Sequence, residues 1–136
     1  MTTLTSELLQ AARQARENAY APYSNFPVGC ALQSVSGRVF TGVNIENASY
    51  GLTICAERCA LFRMVAAGEH FFRTLLVTAG TAEPVPPCGA CLQVMIEFAL
   101  PDSLVIMAGR KDQVIEKSLI ELLPLGFRFP GKEKHP

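Results

Sequence analysis

Leu8, Ala12, Ala15 and Ala19 recur at helical spacing, while Glu7, Gln10, Arg13, Gln14 and Glu17 fall mostly opposite. The chain therefore opens with an amphipathic helix that covers the core and ends near Pro22. A loop over residues 22–27 leads to Val28, Cys30 and Leu32 alternating with Gly29, Ala31 and Gln33, the period of a strand. Ser36 and Gly37 turn the chain, and residues 39–43 return as the second strand of a hairpin that delivers Asn44 and Glu46 to its end. Residues 54–67 form a helix that is apolar nearly all round and stops at Gly68, so it is expected to be central and buried.

Residues 75–79 and 104–108 are short, almost continuous apolar runs, as in strands covered on both faces. A further helix is expected between them over residues 88–98, stopping before Pro101 and approached through a proline-stiffened loop over 81–87. Residues 113–117 suit an edge strand, and Ser118 with Glu121 forms a capping box that starts a short helix closed by Pro124. Residues 130–136 read as a frayed tail. The order α-β-β-α-β-α-β-β-α implies an α/β fold, a three-layer α/β/α arrangement with a mixed five-stranded sheet. A length of 136 residues suits a single domain, 1–136, with no internal repeat.

Composition adds an assembly to this picture. At 49% hydrophobic and 18% charged, with mean hydropathy +0.24, so small a chain has more apolar surface than one sphere hides, which points to a subunit interface. Twelve basic and twelve acidic residues cancel without forming runs, and Trp is absent, so nothing draws a polyanion or stacks on single-stranded nucleic acid. No nucleic-acid partner is expected. No stretch approaches the ~20 apolar residues of a membrane span, and the N-terminus lacks the pattern of a signal sequence. The substrate is then a free small molecule. Five cysteines, three of them committed to metal, suit a reducing cytosol, hence a cytoplasmic location.

The chemistry lies in two short segments, Cys55-Ala56-Glu57-Arg58 and Pro87-Cys88-Gly89-Ala90-Cys91. Cys88 and Cys91, three apart at a helix start, share a face, and Cys55 offers a third thiolate. The two histidines, His70 and His135, stand in unrelated contexts and read as solvent-exposed. Three protein ligands leave a tetrahedral zinc one open position, the mark of a catalytic site, and Glu57 is placed to take and return a proton. Three thiolates leave Zn²⁺ with a net charge of −1; Arg58 and the two helix N-termini are suited to draw that charge off. Cys30 and Cys59 read as small buried hydrophobes. A thiol/disulfide pair or a structural zinc knuckle remain alternatives for the Cys-x-x-Cys alone. Neither has a use for Glu57.

These residues resemble the small cytidine deaminases closely. The likeness runs from residues 23–29 (Tyr-Ser-Asn-Phe-Pro-Val-Gly) through 44–48 and 51–58 to 87–93 and Leu122-Leu123-Pro124, almost the whole chain except its ends. The resemblance implies a homotetramer with one Zn²⁺ per subunit that converts cytidine and deoxycytidine to the uridines in pyrimidine salvage. Glu57 would serve as base and then acid while water adds at C4. The resemblance further implies that Asn44 and Glu46 hold the ribose, that Phe26 and Ala56 line the nucleoside pocket, and that Tyr50 or Phe127 completes a neighbouring subunit's site. A zinc deaminase of another aminopyrimidine nucleoside or base is the alternative. Two positions depart from the family pattern: Leu92 replaces the usual Arg, and Arg128-Phe129-Pro130 follows Phe127. Glu46, at a strand end beside an apolar pocket, is expected to depend on a substrate hydroxyl for its hydrogen bonds.

Overall fold

A computed structural model describes residues 1–132. Helix α1 (Thr3–Arg16) starts at Thr2, whose hydroxyl accepts a hydrogen bond from the Thr5 N–H, and buries Thr5, Leu8, Leu9 and Ala12. It ends well before Pro22, because Tyr20 is drawn out of the helix into a bridge with Ile45: its N–H donates to Asn44 O and its carbonyl accepts from Glu46 N. Strands β1 (Gly29–Ser34) and β2 (Val39–Val43) form the expected hairpin, with Gly37 at φ 92° in its turn.

Helix α2 (Ala56–Ala66), strand β3 (Phe72–Thr78), helix α3 (Gly89–Glu97) and strand β4 (Ala99–Ala108) follow, then strand β5 (Val114–Ser118) and the short helix α4 (Leu119–Leu122) with its capping box intact. Strand β4 begins almost at once after α3 and runs through Pro101. The ladder accommodates that proline because Phe72 pairs Ala99 while Thr74 pairs Leu104, leaving residues 100–103 in an irregular bulge. Ser103 closes the bulge, its hydroxyl accepting from Leu100 N and donating to Phe72 O.

The sheet order is β2-β1-β3-β4-β5; only β3 and β4 are parallel. Alternation along each strand divides the core in two. Ala31, Leu76, Ile106 and Ala108 meet α1 on one face. Cys30, Leu32, Phe40, Leu75 and Val105 meet α2, α3 and α4 on the other. The three-layer α/β/α arrangement with a mixed five-stranded sheet is therefore observed. Emptying a position such as Leu75, fully buried between β1 and β4, would cost about 2–5 kcal/mol. Helix α2 lies directly on β2: a β-carbon at Gly42 would stand 2.3 Å from Ala56 O and 2.4 Å from Ala60 N.

The helix expected to be buried all round is not. Phe62 is 46% exposed, and Arg63 and Ala66 face outward. Together with Ile45, Leu52, Ile54 and Cys59 they line an open apolar cleft of about 390 Å³. Cys59 is thus only half-buried, whereas Cys30 is fully enclosed. His70 is exposed as expected; His135 lies outside the described residues, as does the tail from 133 onward. Residues 130–132 are exposed and lie in a turn closed by Lys132 N donating to Phe129 O.

Candidate metal centre and active site

Cys55 and Cys88 are the N-cap residues of α2 and α3, each in extended backbone (φ −74°, ψ 157° and φ −71°, ψ 163°), and neither side chain caps its own helix. Their sulfurs are therefore free to converge. The Sγ atoms of Cys55, Cys88 and Cys91 all lie within 4.8 Å of one another. Zinc with Zn–S bonds of about 2.3 Å places tetrahedral sulfurs about 3.8 Å apart, so the set fits that ion with a small closure. Two helix N-termini aim their partial positive charge at the same point and favour thiolates there.

Charge around the sulfurs is unequal. The Cys55 thiol is held well below its ordinary range, first by a hydrogen bond from Cys91 and then by Arg58, whose Nη2 donates to Cys55 Sγ at 3.4 Å. Cys91, fully enclosed, is driven the opposite way by donating to Cys55 and by burial. Three adjacent thiolates repel unless a cation lies among them, and one Zn²⁺ per chain satisfies this donor set. The Arg58 Nε is buried with no hydrogen-bond acceptor among the described residues, a donor still available to this anionic cluster.

Glu57 sits on the first turn of α2, only 5% exposed, and burial pushes its carboxyl up to about 7. Cys30 is raised as well, by burial and then by the charges of Glu57 and Cys59, so it stays a neutral thiol. Ala56, also fully buried, is the first residue of α2, where the helix leaves backbone N–H groups without helical partners.

The remaining candidates, Asn44, Glu46, Phe26, Tyr50 and Phe127, lie on strand ends and loops and form a second, mostly more open region, the rim. Asn44 is 8% exposed and its amide is a staple: Oδ1 accepts from Val28 N and Nδ2 donates to Phe26 O, both at 2.9 Å. Glu46 accepts from Tyr23 N at 2.9 Å, from Ser24 N at 3.1 Å and from the Ser24 hydroxyl. Those bonds, the serine hydroxyl first, hold its carboxyl below the usual range. The expectation that Glu46 depends on a ligand for its hydrogen bonds is therefore corrected: the loop supplies three donors, and no unpaired charge waits at the strand end.

Phe26 is 41% exposed and lies on the rim. Tyr50 packs edge-on against Tyr23, with ring centroids 6.1 Å apart, beside an open cleft of about 380 Å³ lined by Ser24, Glu46, Asn47 and Thr53. Phe127 sits apart from that cleft's lining, its backbone clasped by Gln93 on α3: Gln93 Nε2 donates to Phe127 O at 2.8 Å and Phe127 N donates to Gln93 Oε1 at 2.9 Å. Gln93 and the backbone donors of Tyr23 and Ser24 had no local signal, since each acts across 22 to 34 residues of sequence. Leu92, on α3, is buried in the core cluster that also holds Ala60, Leu61 and Met64 of α2 rather than facing solvent.

Residues 2–108 match the family model described as the cytidine and deoxycytidylate deaminase zinc-binding region. The cytidine deaminase of Halalkalibacterium halodurans is 50% identical over 120 residues, 88% of this chain and 91% of that protein. The crystal structure of cytidine deaminase from Burkholderia pseudomallei superposes with a TM-score of 0.87 at 50% identity, covering 93% of this chain and 100% of that one. That from Mycobacterium tuberculosis gives 0.80 at 34% identity over 94% and 100%. With three convergent thiols, a buried glutamate beside them and this likeness over nearly its full length, the chain belongs to the cytidine and deoxycytidylate deaminase family.

Proposed function

We propose that the protein is a cytidine deaminase: it hydrolyses cytidine and deoxycytidine to uridine and deoxyuridine with release of ammonia, as a single-domain subunit of a cytoplasmic homotetramer in pyrimidine salvage. The observation that carries this reading is the convergence of the Cys55, Cys88 and Cys91 sulfurs next to a glutamate almost sealed from water.

Cys55, Cys88 and Cys91 would hold the zinc. When bound, the ion acidifies a water toward a pKa of ~7 and so supplies a nucleophile at neutral pH. Glu57, two residues beyond Cys55 in the first turn of α2, takes the nucleophile's proton and delivers protons to ring N3 and to the departing amine, so one carboxylate serves as base and then acid. Arg58, donating to Cys55, offsets the net negative charge of three thiolates. Its part is to keep the metal a strong enough Lewis acid.

Nucleoside recognition falls to the rim. Phe26 and the free N–H groups at Ala56 would face the base, Asn44 and Glu46 the ribose, and Tyr50 and Phe127 would reach a neighbouring subunit's site. Their exposure, 76% for Tyr50 and 67% for Phe127, is the support for that last role, because large apolar rings left so open in one chain suit an assembly that covers them. The test is ultraviolet absorbance of purified protein with cytidine, with and without a chelator. Chelator-sensitive loss of the cytosine band supports the reading; turnover of free cytosine and none of cytidine would overturn it.

A further inference from the structure

The segment 23–28 carries Phe26 to the rim, and side chains hold several of its backbone groups. Glu46 takes the N–H groups of Tyr23 and Ser24, the Ser24 hydroxyl takes that of Phe26, and Asn44 takes Phe26 O and Val28 N. The Pro27 carbonyl is held by a side chain as well, and this one comes from helix α1. Arg16, in the last turn of α1, donates from Nε to Pro27 O at 2.9 Å.

Two glycines clear the way for this arginine. A β-carbon at Gly29, the first residue of β1, would lie 2.8 Å from Arg16 Cβ and 2.0 Å from Ala12 O. A β-carbon at Gly80, just beyond β3, would lie 2.6 Å from the guanidinium carbon, and Gly80 also adopts φ +70°, which disfavours other residues. A basic residue in a last helical turn is ordinarily explained by the helix dipole alone, in which case it faces water and any cation serves. Arg16 instead runs half-buried between two glycines to a fixed carbonyl.

We propose that Arg16 is a positioning residue for the nucleoside pocket, pinning the 26–28 segment from the α1 layer so that Phe26 meets the base in one conformation, with Gly80 as the floor on which its guanidinium rests. The proposal rests on the nucleoside reading given above. Arg16 touches neither metal nor substrate; it acts through Pro27 on Phe26, and a loosened pocket wall weakens binding of substrate and transition state alike. Loss of the arginine should then appear in KM rather than kcat.

The experiment compares wild type with Arg16→Gln, Arg16→Lys and Gly80→Ala. Arg16→Gln is expected to raise KM for cytidine about tenfold, within what a misplaced positioning group can cost, with kcat changed less than about twofold and zinc content unchanged. Arg16→Lys, still able to donate one bond, recovers part of the loss, and Gly80→Ala, which displaces the guanidinium, reproduces it. Amide hydrogen exchange without substrate supplies the second reading: Val28 and Ser24 exchange faster in Arg16→Gln while Leu76 in β3 does not. An unchanged KM with unchanged exchange at Val28 overturns the proposal, as does a fall confined to kcat with loss of zinc. Should Arg16→Gln not accumulate as folded protein, Gly80→Ala carries the same comparison. If wild type turned over no cytidine, the nucleoside reading would fall, while the exchange data would still decide whether Arg16 holds the segment.

Discussion

The metal end and the proposed nucleoside rim are built on different principles. At the metal end the critical residues sit at the starts of two helices, Glu57 and Cys91 buried, Cys55 half-buried and Cys88 exposed, and each is fixed by the helix that carries it. At the rim, Phe26, Tyr50 and Phe127 are exposed, and the backbone between them is held by side-chain hydrogen bonds across long stretches of sequence. Chemistry that must not vary is placed on rigid elements, whereas in the proposed reading recognition is left to loops positioned by the scaffold, with rings exposed for another chain to cover. Substitutions should therefore separate: those at the metal end abolish or slow the reaction, and those at the rim change which substrate is held.

The largest effect is expected from Cys91→Ala. It leaves two thiolates, one of them exposed, and removes the buried ligand, so zinc is lost with all turnover and the protein melts lower, because metal binding is linked to the folded state. Metal analysis and thermal unfolding check both. A soluble, zinc-loaded and active Cys91→Ala would mean the ligand set is wrong. Next comes Glu57→Gln, which keeps shape and zinc but cannot carry the proton; kcat should fall by about 10²–10⁴. Near-normal turnover with metal bound would remove Glu57 from the mechanism.

This contrast also explains what could be read from the amino-acid order. The thiol pair at 88 and 91 and the neighbouring Glu57 are local patterns, and a helix start turns such spacing directly into geometry. The almost continuous apolar runs 75–79 and 104–108 likewise predict strands covered on both faces, and Leu75, Leu76, Val105 and Ile106 are all buried. Local reading misleads where tertiary bonds decide. Tyr20 leaves α1 because Asn44 and Glu46 capture its backbone, and Pro101 enters a strand because Ser103 closes a bulge around it. Phe62 looked like core by composition, yet it faces out from one chain. The donors to Glu46 and the clasp of Gln93 on Phe127 have no signature at short range.

At the rim, Tyr50→Ala and Phe127→Ala should each lower kcat/KM on the order of 10², the cost of truncating an aromatic anchor, with zinc content intact and the fold of the single chain little disturbed. The comparison sharpens if light scattering shows a tetramer at micromolar concentration. A monomer of full activity would sink the assembly and make both rings local.

The smallest effect concerns Glu46, and here the structure changes the size of what is expected. A carboxylate left unpaired by a substrate lacking its hydroxyl could discriminate by ~10⁴. Glu46, however, already accepts from Tyr23 N, Ser24 N and the Ser24 hydroxyl, so a missing 3′-hydroxyl costs one charge-assisted hydrogen bond and no orphaned charge. One such bond contributes about 1.5–3 kcal/mol, which sets a preference for cytidine over 3′-deoxycytidine of about tenfold to a hundredfold in kcat/KM. Glu46→Gln should narrow that gap mainly by harming cytidine, since the amide also hydrogen-bonds Ser24 less well. Its pH behaviour follows from the same bonds. The folded pKa lies below the unfolded one, so the stabilisation of the 23–24 turn is present above the ordinary carboxylate range and is lost as pH falls through the depressed value. Exchange at the Ser24 amide should thus quicken, relative to strand amides, only toward acid in wild type and show no such step in Glu46→Gln. Equal kcat/KM for the two nucleosides in wild type would take Glu46 away from the sugar and leave it a loop clamp, with the metal chemistry untouched.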